Sequence, residues 1–344
     1  MPSIPAQRRR VRVMSEGVIT IVTEDVPVPL PHEALVRTIL SGVCGSDTHA
    51  LHGSHPHIPL PYYPGHEAVG VVAAIGADVT SVAVGDRVTP EPTLPCGTCK
   101  MCTTGRENIC EHLEFLGCGF REGGMAEYFT CDASRLHAVP VGFTDYQAAL
   151  IEPLATPVHA AGLAGDLTGK AVAILGSGTI GLLMLAAARA AGARRIVVTD
   201  VLADKRALAE RAGADATVDA ADPDVVAKVR DALGEGADAV FDCVAIQPTL
   251  DAAVAIVDKG SVIVIVGVPP RPVTVDVVKM QDEQVRLQGA ATYLAEDYRR
   301  AMEIIAAGGV DAEFMITSEY PVDEVSEAFA ASTSGHQVKV LVRI

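Results

Sequence analysis

Tryptophan is absent from the 344-residue chain, and aromatic residues make up only 4 % of it. Its cores must therefore be aliphatic, built from Val, Ala, Leu and Ile rather than from stacked rings. Basic residues are also scarce: 27 Lys and Arg face 43 Asp and Glu, a net charge of −16. A field of that sign repels phosphate backbones and anionic lipid, so neither nucleic acid nor a membrane surface is an expected partner. The one basic cluster, Arg8, Arg9, Arg10 and Arg12, reads as a solvated terminal segment. No apolar signal-like segment precedes the first strand-like run, VRVM, so a reducing, cytoplasmic compartment is expected. Residues 171–188 carry no charge, but three glycines interrupt them, and strand, turn and helix is a better reading than a membrane span. Internal repeats and low-complexity linkers are missing too.

What is present is enough for two globular domains: 49 % of residues are hydrophobic. Up to about residue 150 (VITIV, ALVRTIL, AVGVVAAIG, DRVTP, AEYFT), short apolar runs are separated by proline and glycine, which reads as β structure with loops. TDYQAALIEPLATPVHAAGLAG reads as helical turns broken near Pro153 and Pro157. Strands then alternate with helices: AVAIL, TIGLLMLAAARAAG, RIVVT, LADKRALAERAG, DAVFDC, PTLDAAVAIVDKG, SVIVIVG. Continuous apolar strands between helices predict a doubly wound parallel sheet, so the fold class is α/β. The alternation ends after VRLQGAATY, and the tail is expected to pack back onto the first domain. That gives a discontinuous domain of residues 1–152 and 291–344 around an inserted α/β domain of residues 153–290.

Cys96, Cys99, Cys102 and Cys110 follow the spacing C-x2-C-x2-C-x7-C. Four thiolates that close fill every position of a tetrahedral zinc, leaving no room for chemistry, so the predicted site staples a loop. Disulfides suit a reducing compartment poorly. The bacterial ferredoxin run needs its fourth cysteine after a shorter gap, followed by proline. Cys118, Cys131 and Cys243 receive no role.

Gly176, Gly178 and Gly181 form G-x-G-x-x-G between a strand and a helix, the context in which the motif marks a dinucleotide site. The first glycine permits a sharp turn, the second lets a pyrophosphate approach the backbone, and the third allows close helix–strand packing. Thr179 and Ile180 open the helix whose N–H groups would face the phosphates. Asp200 closes RIVVTD at the distance where a carboxylate bonds a ribose diol, which favours NAD over NADP; Lys205 and Arg206 nearby weigh the other way.

A second metal position is suggested by Cys44 in GVCGSDTHA, His66 and Glu67 in PGHEAVGVVAAIG, and Glu152 in IEPLA. Thiolate, imidazole and carboxylate suit a catalytic zinc with an open position. Together with the cysteine loop and the glycine motif, these segments make the whole chain resemble the zinc-containing medium-chain dehydrogenase/reductase family. GHEAVGVVAAIG is similar to its G-H-E-x-x-G-x-V-x-x-x-G stretch, and CGSD to its catalytic-cysteine segment.

The resemblance implies a GroES-like β-rich catalytic domain plus a Rossmann domain, with the active site in the cleft between them. It also implies a homodimer or homotetramer, two Zn2+ per chain, and NAD. Cys44, His66 and Glu152 are then zinc ligands, and Glu67 is a ligand or a neighbouring carboxylate. The implied reaction is reversible hydride transfer between a secondary alcohol or polyol and NAD, with a proton relay through Ser46, the nicotinamide ribose and His49. A carboxylate at Glu152 looks like the sorbitol, threonine and butanediol branches, while LQGAATY lacks the arginine expected of a sorbitol pocket. Residues 51–63, Phe120, Arg121 and Tyr293 are candidates to line the substrate pocket. Rival readings are a zinc-free quinone reductase and a non-catalytic NAD-binding protein on the same fold.

Overall fold

A computed structural model describes residues 3–344. They divide into two units: residues up to Glu152 together with Ala312–Ile344, and Pro153–Asp311. The first unit opens with a hairpin of β1 (Gln7–Ser15) and β2 (Val18–Asp25). It continues through β3 (Glu33–Val43), the short helix α1 (Gly45–Leu51), β4 (Ala68–Ile75) and β5 (Arg87–Pro90). β6 (Thr93–Leu94) and β7 (Glu114–Phe115) pair with each other and close the base of the cysteine loop, which holds the single-turn helix α2 (Lys100–Thr103). β8 (Tyr128–Asp132), β9 (Leu136–Ala138) and α3 (Asp145–Ala149) follow. Thr144 starts α3 by accepting from the Gln147 N–H, while the Gln147 side chain accepts from Thr144, a reciprocal cap.

The chain leaves this unit within α4 (Ile151–Ala164). The break between α3 and α4 falls at Leu150, not at the prolines. Pro153 lies in the first turn, where its missing N–H has no intrahelical partner to lose, and only Pro157 costs the helix a bond.

The second unit alternates β10 (Ala171–Leu175), α5 (Thr179–Ala190), β11 (Arg195–Asp200), α6 (Ala203–Arg211), β12 (Ala216–Asp219), α7 (Val225–Leu233), β13 (Ala237–Asp242), α8 (Gln247–Ile256), β14 (Val257–Ile265), α9 (Val277–Asp282), β15 (Arg286–Gly289) and α10 (Ala295–Ala306). Its six strands are all parallel, in the order β12-β11-β10-β13-β14-β15. The order reverses direction between β10 and β13, the point where ligands bind in open α/β sheets. β10 is buried along its whole length, as a strand covered by helices on both faces must be.

Residues 291–311 correct the expected boundary, because they belong to the second unit. α10 packs there against α5 through Tyr298, Ala301, Ile304 and Ile305, a helical stripe with no counterpart surface read from the sequence. β14 also begins earlier than expected: Val257, Asp258, Lys259 and Gly260 are strand rather than the end of α8.

The chain re-enters the first unit as α11 (Ala312–Met315), β16 (Ile316–Pro321), α12 (Val325–Thr333) and β17 (Lys339–Arg343). The completed sheet runs β16-β17-β3-β4-β5-β9, with β8 also paired to β3. β3 therefore sits between the C-terminal strand and β4. The basic cluster is not a solvated run, because Arg8 and Arg10 are buried in β1 while Arg9 and Arg12 are half-buried. Arg8 and Arg10 both pair with Glu24 and Glu122, and Arg10 lies over the Tyr63 ring at 3.3 Å. Among the described residues no helix is long and apolar enough to cross a membrane.

Candidate functional site

Three neighbouring strands bring the mixed cluster together. Cys44 follows β3, Glu67 precedes β4, and Lys339 opens β17. Within this arrangement the ligand atoms of Cys44, His66 and Glu67 lie within 4.8 Å of one another. Glu152, in the first turn of α4, is buried but outside that group, and its charge is felt at Lys339. Cys44 caps α1, and its N–H donates to Asp47 Oδ2 at 3.0 Å. Ser46 Oγ lies 3.5 Å from His66 Nε2. His49 is exposed in the last turn of α1.

Four further residues join the cluster, and only Tyr62, within 51–63, had a role read from the sequence, as a substrate-pocket candidate. Asp47, at 0 % exposure, has Oδ1 4.0 Å from His66 Nδ1. Burial holds its pKa above the usual carboxylate value, an effect only partly countered by the charge of His66 and the Cys44 N–H. Tyr62 donates its hydroxyl to the same Oδ1 at 3.2 Å. Cys118 Sγ stands 3.5 Å from His66 Nδ1. Burial alone would lower the His66 pKa, but the charges of Cys118 and Asp47 outweigh it and hold the value well above the ordinary range.

The fourth is Lys339, only 3 % exposed, whose Nζ donates to both Glu67 oxygens at 2.6 and 2.7 Å. Glu67 fills the space over Gly42, where a Cβ would fall 1.8 Å from its Oε2. Asp47 is legible as a capping carboxylate one turn past Cys44. Lys339 has no local signal, since 272 residues separate it from Glu67.

The four-cysteine loop closes on itself. Cys99 Sγ lies 3.5 Å from Cys102 Sγ and 3.8 Å from Cys110 Sγ. A zinc tetrahedron with Zn–S near 2.3 Å has edges of about 3.8 Å, so the spacing fits that metal. All eight cysteines are free thiols. Backbone N–H groups point at the sulfurs: Cys99 donates to Cys96, and Cys96 and His112 both donate to Cys110. Hydrogen bonds from Thr98 bring the Cys96 thiol down to about 6, while burial and its sulfur neighbours push Cys102 up to about 12.

In the second unit Gly176 turns at φ +94 after β10, and Gly178 caps α5. Gly181 faces the Gly176 carbonyl so closely that a Cβ would fall 1.9 Å from its oxygen. Thr179 and Ile180 form the first turn of α5. Asp200 ends β11, and its Oδ2 accepts from Ser177 N at 2.8 Å and Ser177 Oγ at 2.9 Å. The flanking cations are committed. Lys205 is buried, which lowers its pKa against the pull of Asp200. Arg206 donates to the Asp200 carbonyl at 2.9 Å and pairs with Asp219 at 3.3 Å.

Phe120 and Arg121 line a cavity of about 620 Å³ beside Cys96 and His112, whose lining includes neither Cys44 nor His66. Tyr293 is buried against Tyr298, ring centroids 5.3 Å apart.

Residues 30–141 match the alcohol dehydrogenase GroES-like domain, and residues 179–307 match the zinc-binding dehydrogenase domain. A probable D-xylulose reductase A of Aspergillus clavatus is 31 % identical over 95 % of this chain and 94 % of its own length. Sorbitol dehydrogenase of Gallus gallus is 32 % identical, covering 98 % and 96 % respectively. A zinc-binding dehydrogenase of Sinorhizobium meliloti, solved bound to NADP, superposes with a TM-score of 0.91 at 34 % identity, covering 99 % of this chain and 100 % of that one.

The Glu67–Lys339 pair generates one expectation. Lys339→Met strands a buried carboxylate and should cost about 3–5 kcal/mol, measured by urea unfolding. Burial lowers the Lys339 pKa, but the Glu67 charge outweighs it and holds the value above the ordinary one. The pair's stabilisation is therefore full below the unfolded lysine pKa and is lost only as pH rises through the folded value. The difference between wild type and Lys339→Met should be constant from neutral pH to about 9 and should shrink at higher, alkaline pH. A variant as stable as wild type at neutral pH would contradict the assignment.

Proposed function

Because the chain belongs to the zinc-containing medium-chain alcohol and polyol dehydrogenases, we propose that it catalyses reversible hydride transfer between a secondary alcohol or polyol and NAD. The observation that carries this reading is the convergence of Cys44, His66 and Glu67 within 4.8 Å. That donor set fits zinc, with Cys44 and His66 as direct ligands and Glu152 or Glu67 as the carboxylate. Lys339 occupies both Glu67 oxygens, which favours Glu152 as the direct ligand and Glu67 as the neighbouring charge. Cys96, Cys99, Cys102 and Cys110 hold a second zinc that orders their loop. Bound zinc supplies a Lewis acid that makes an alcohol proton labile, and bound NAD supplies the hydride acceptor.

The chain's own residues manage the proton and the dinucleotide. Ser46 accepts a hydrogen bond from the substrate hydroxyl, and exposed His49 delivers the proton to solvent. The N-terminus of α5, through Gly178, Thr179 and Ile180, receives the pyrophosphate. Asp200 bonds the adenosine ribose, with Lys205 beside it. A 2′-phosphate there would meet Asp200 and Asp219, while Arg206 is already spent on Asp219. A reducing cytoplasm suits thiolates that bind zinc rather than pair with one another, and disulfides in protein isolated with its thiols blocked would contradict it. Glu152 leaves the threonine- and butanediol-type activities of the same family as the nearest alternatives.

Metal analysis should find two zinc ions per chain. Cys44→Ser should keep one and lose activity, whereas Cys99→Ser should lose stability or solubility. One zinc or fewer in fully folded wild type would overturn the metal reading. NAD should be used at least about tenfold better than NADP in kcat/KM, a difference of about 1.4 kcal/mol; an equal preference for NADP would mean that Asp200 does not select the dinucleotide. His49→Ala should lower kcat for alcohol oxidation by about 10²–10⁴, most strongly near neutral pH, with partial recovery as pH rises. An unchanged kcat across that range, with a deuterated alcohol showing hydride transfer to be rate-limiting, would send the proton by another route.

A further inference from the structure

We infer that Tyr62 is a positioning residue for the centre at Cys44 and His66, acting through Asp47; this rests on the metal reading above. Asp47 is sealed from solvent, so its oxygens can be satisfied only from within the protein. Oδ2 takes the Cys44 N–H at 3.0 Å, and Oδ1 takes the Tyr62 hydroxyl at 3.2 Å. The Tyr62 hydroxyl also lies 3.4 Å from the Asp47 carbonyl. Tyr62 is itself 1 % exposed and packed among Val11, Val13, Val43 and Met125. Its backbone N–H and carbonyl both bond Val13. The phenol is thus a fixed point, and through it β1 sets the plane of the Asp47 carboxylate.

That plane decides which face of His66 is usable. Oδ1 stands 4.0 Å from Nδ1, and Cys118 Sγ closes the same edge at 3.5 Å. Nδ1 is therefore the enclosed nitrogen, and Nε2 is the one facing Ser46. A carboxylate behind a ligating imidazole helps set the ring's tautomer and orientation, here through its charge at 4.0 Å rather than a direct hydrogen bond, and loss of such a partner weakens metal binding about 10–100-fold. Without the Tyr62 hydroxyl, Asp47 keeps the Cys44 contact but loses the donor that holds Oδ1 toward the imidazole.

The test compares zinc release from the full-length holoenzyme to an excess of a colorimetric chelator, for wild type, Tyr62→Phe, Tyr62→Met and Tyr63→Phe. Tyr63 is next in the chain, and its ring lies beneath Arg10 rather than against Asp47. The four-cysteine zinc acts as an internal control for folding. In Tyr62→Phe or Tyr62→Met the faster-released zinc should leave at least about tenfold faster than in wild type, with the slower zinc unchanged and Tyr63→Phe like wild type. Cobalt placed in the faster-exchanging site should show a shifted thiolate charge-transfer band in the Tyr62 variants alone.

Release rates within twofold of wild type, with unshifted cobalt spectra, would overturn the inference. Loss of both zinc ions together in both Tyr62 variants would assign Tyr62 to the fold and overturn it as well. Failure of the metal reading is distinguishable, because it appears already in wild type as a missing second zinc.

Discussion

The candidate centre depends on one constraint: two carboxylates, Glu67 and Asp47, are buried beside a histidine and a thiol, and the fold itself must neutralise them. Glu67 is answered by Lys339, brought from the far end of the chain as β17 joins β3. Asp47 is answered by the Cys44 N–H and the Tyr62 hydroxyl. Leaving either group unpaired would cost several kcal/mol, a large share of the stability of any domain. The sheet order β17-β3-β4 is thus an electrostatic requirement as well as a topological one, because it is what sets Lys339 against Glu67 at the end of β3.

The two proposed metal positions differ in how they are built. The four cysteines lie between Cys96 and Cys110, on a loop pinned at its base by β6 and β7, and backbone N–H groups donate to its sulfurs. Such a site can form once its own loop closes. The mixed centre draws Cys44 from the end of β3 and His66 and Glu67 from the approach to β4, with Lys339 supplied by β17, so it needs strands that are far apart in the chain to be paired. A closed staple needs only local order, whereas a site that must leave room for substrate needs its ligands held by the whole domain.

What the sequence revealed follows the same division. The cysteine spacing, the glycine turn with Asp200 at the next strand's end, and the GHE segment are local patterns with a direct physical meaning, and each was readable. The partners that act at long range were not. Arg8 and Arg10 looked like a solvated run, because Glu122, their buried counter-charge, is more than a hundred residues away. Lys339 and Cys118 have no periodicity or spacing that ties them to the cluster, since 272 and 52 residues separate them from Glu67 and His66. The 291–311 segment was misplaced for a related reason: α10 has a clear apolar stripe, but a stripe does not say which surface covers it.

The most direct measurement is isotope transfer. The full chain with its zinc is incubated with NAD and a panel of secondary alcohols and polyols, each deuterated at the carbinol carbon, and the reduced dinucleotide is analysed by mass spectrometry and NMR. The account predicts that at least one alcohol passes its deuterium to nicotinamide C4, and that transfer ends on removal of the more labile zinc and resumes when zinc is restored. Absence of deuterium from the dinucleotide across the panel, with both zinc ions bound, or transfer that persists unchanged without the labile zinc, would contradict it.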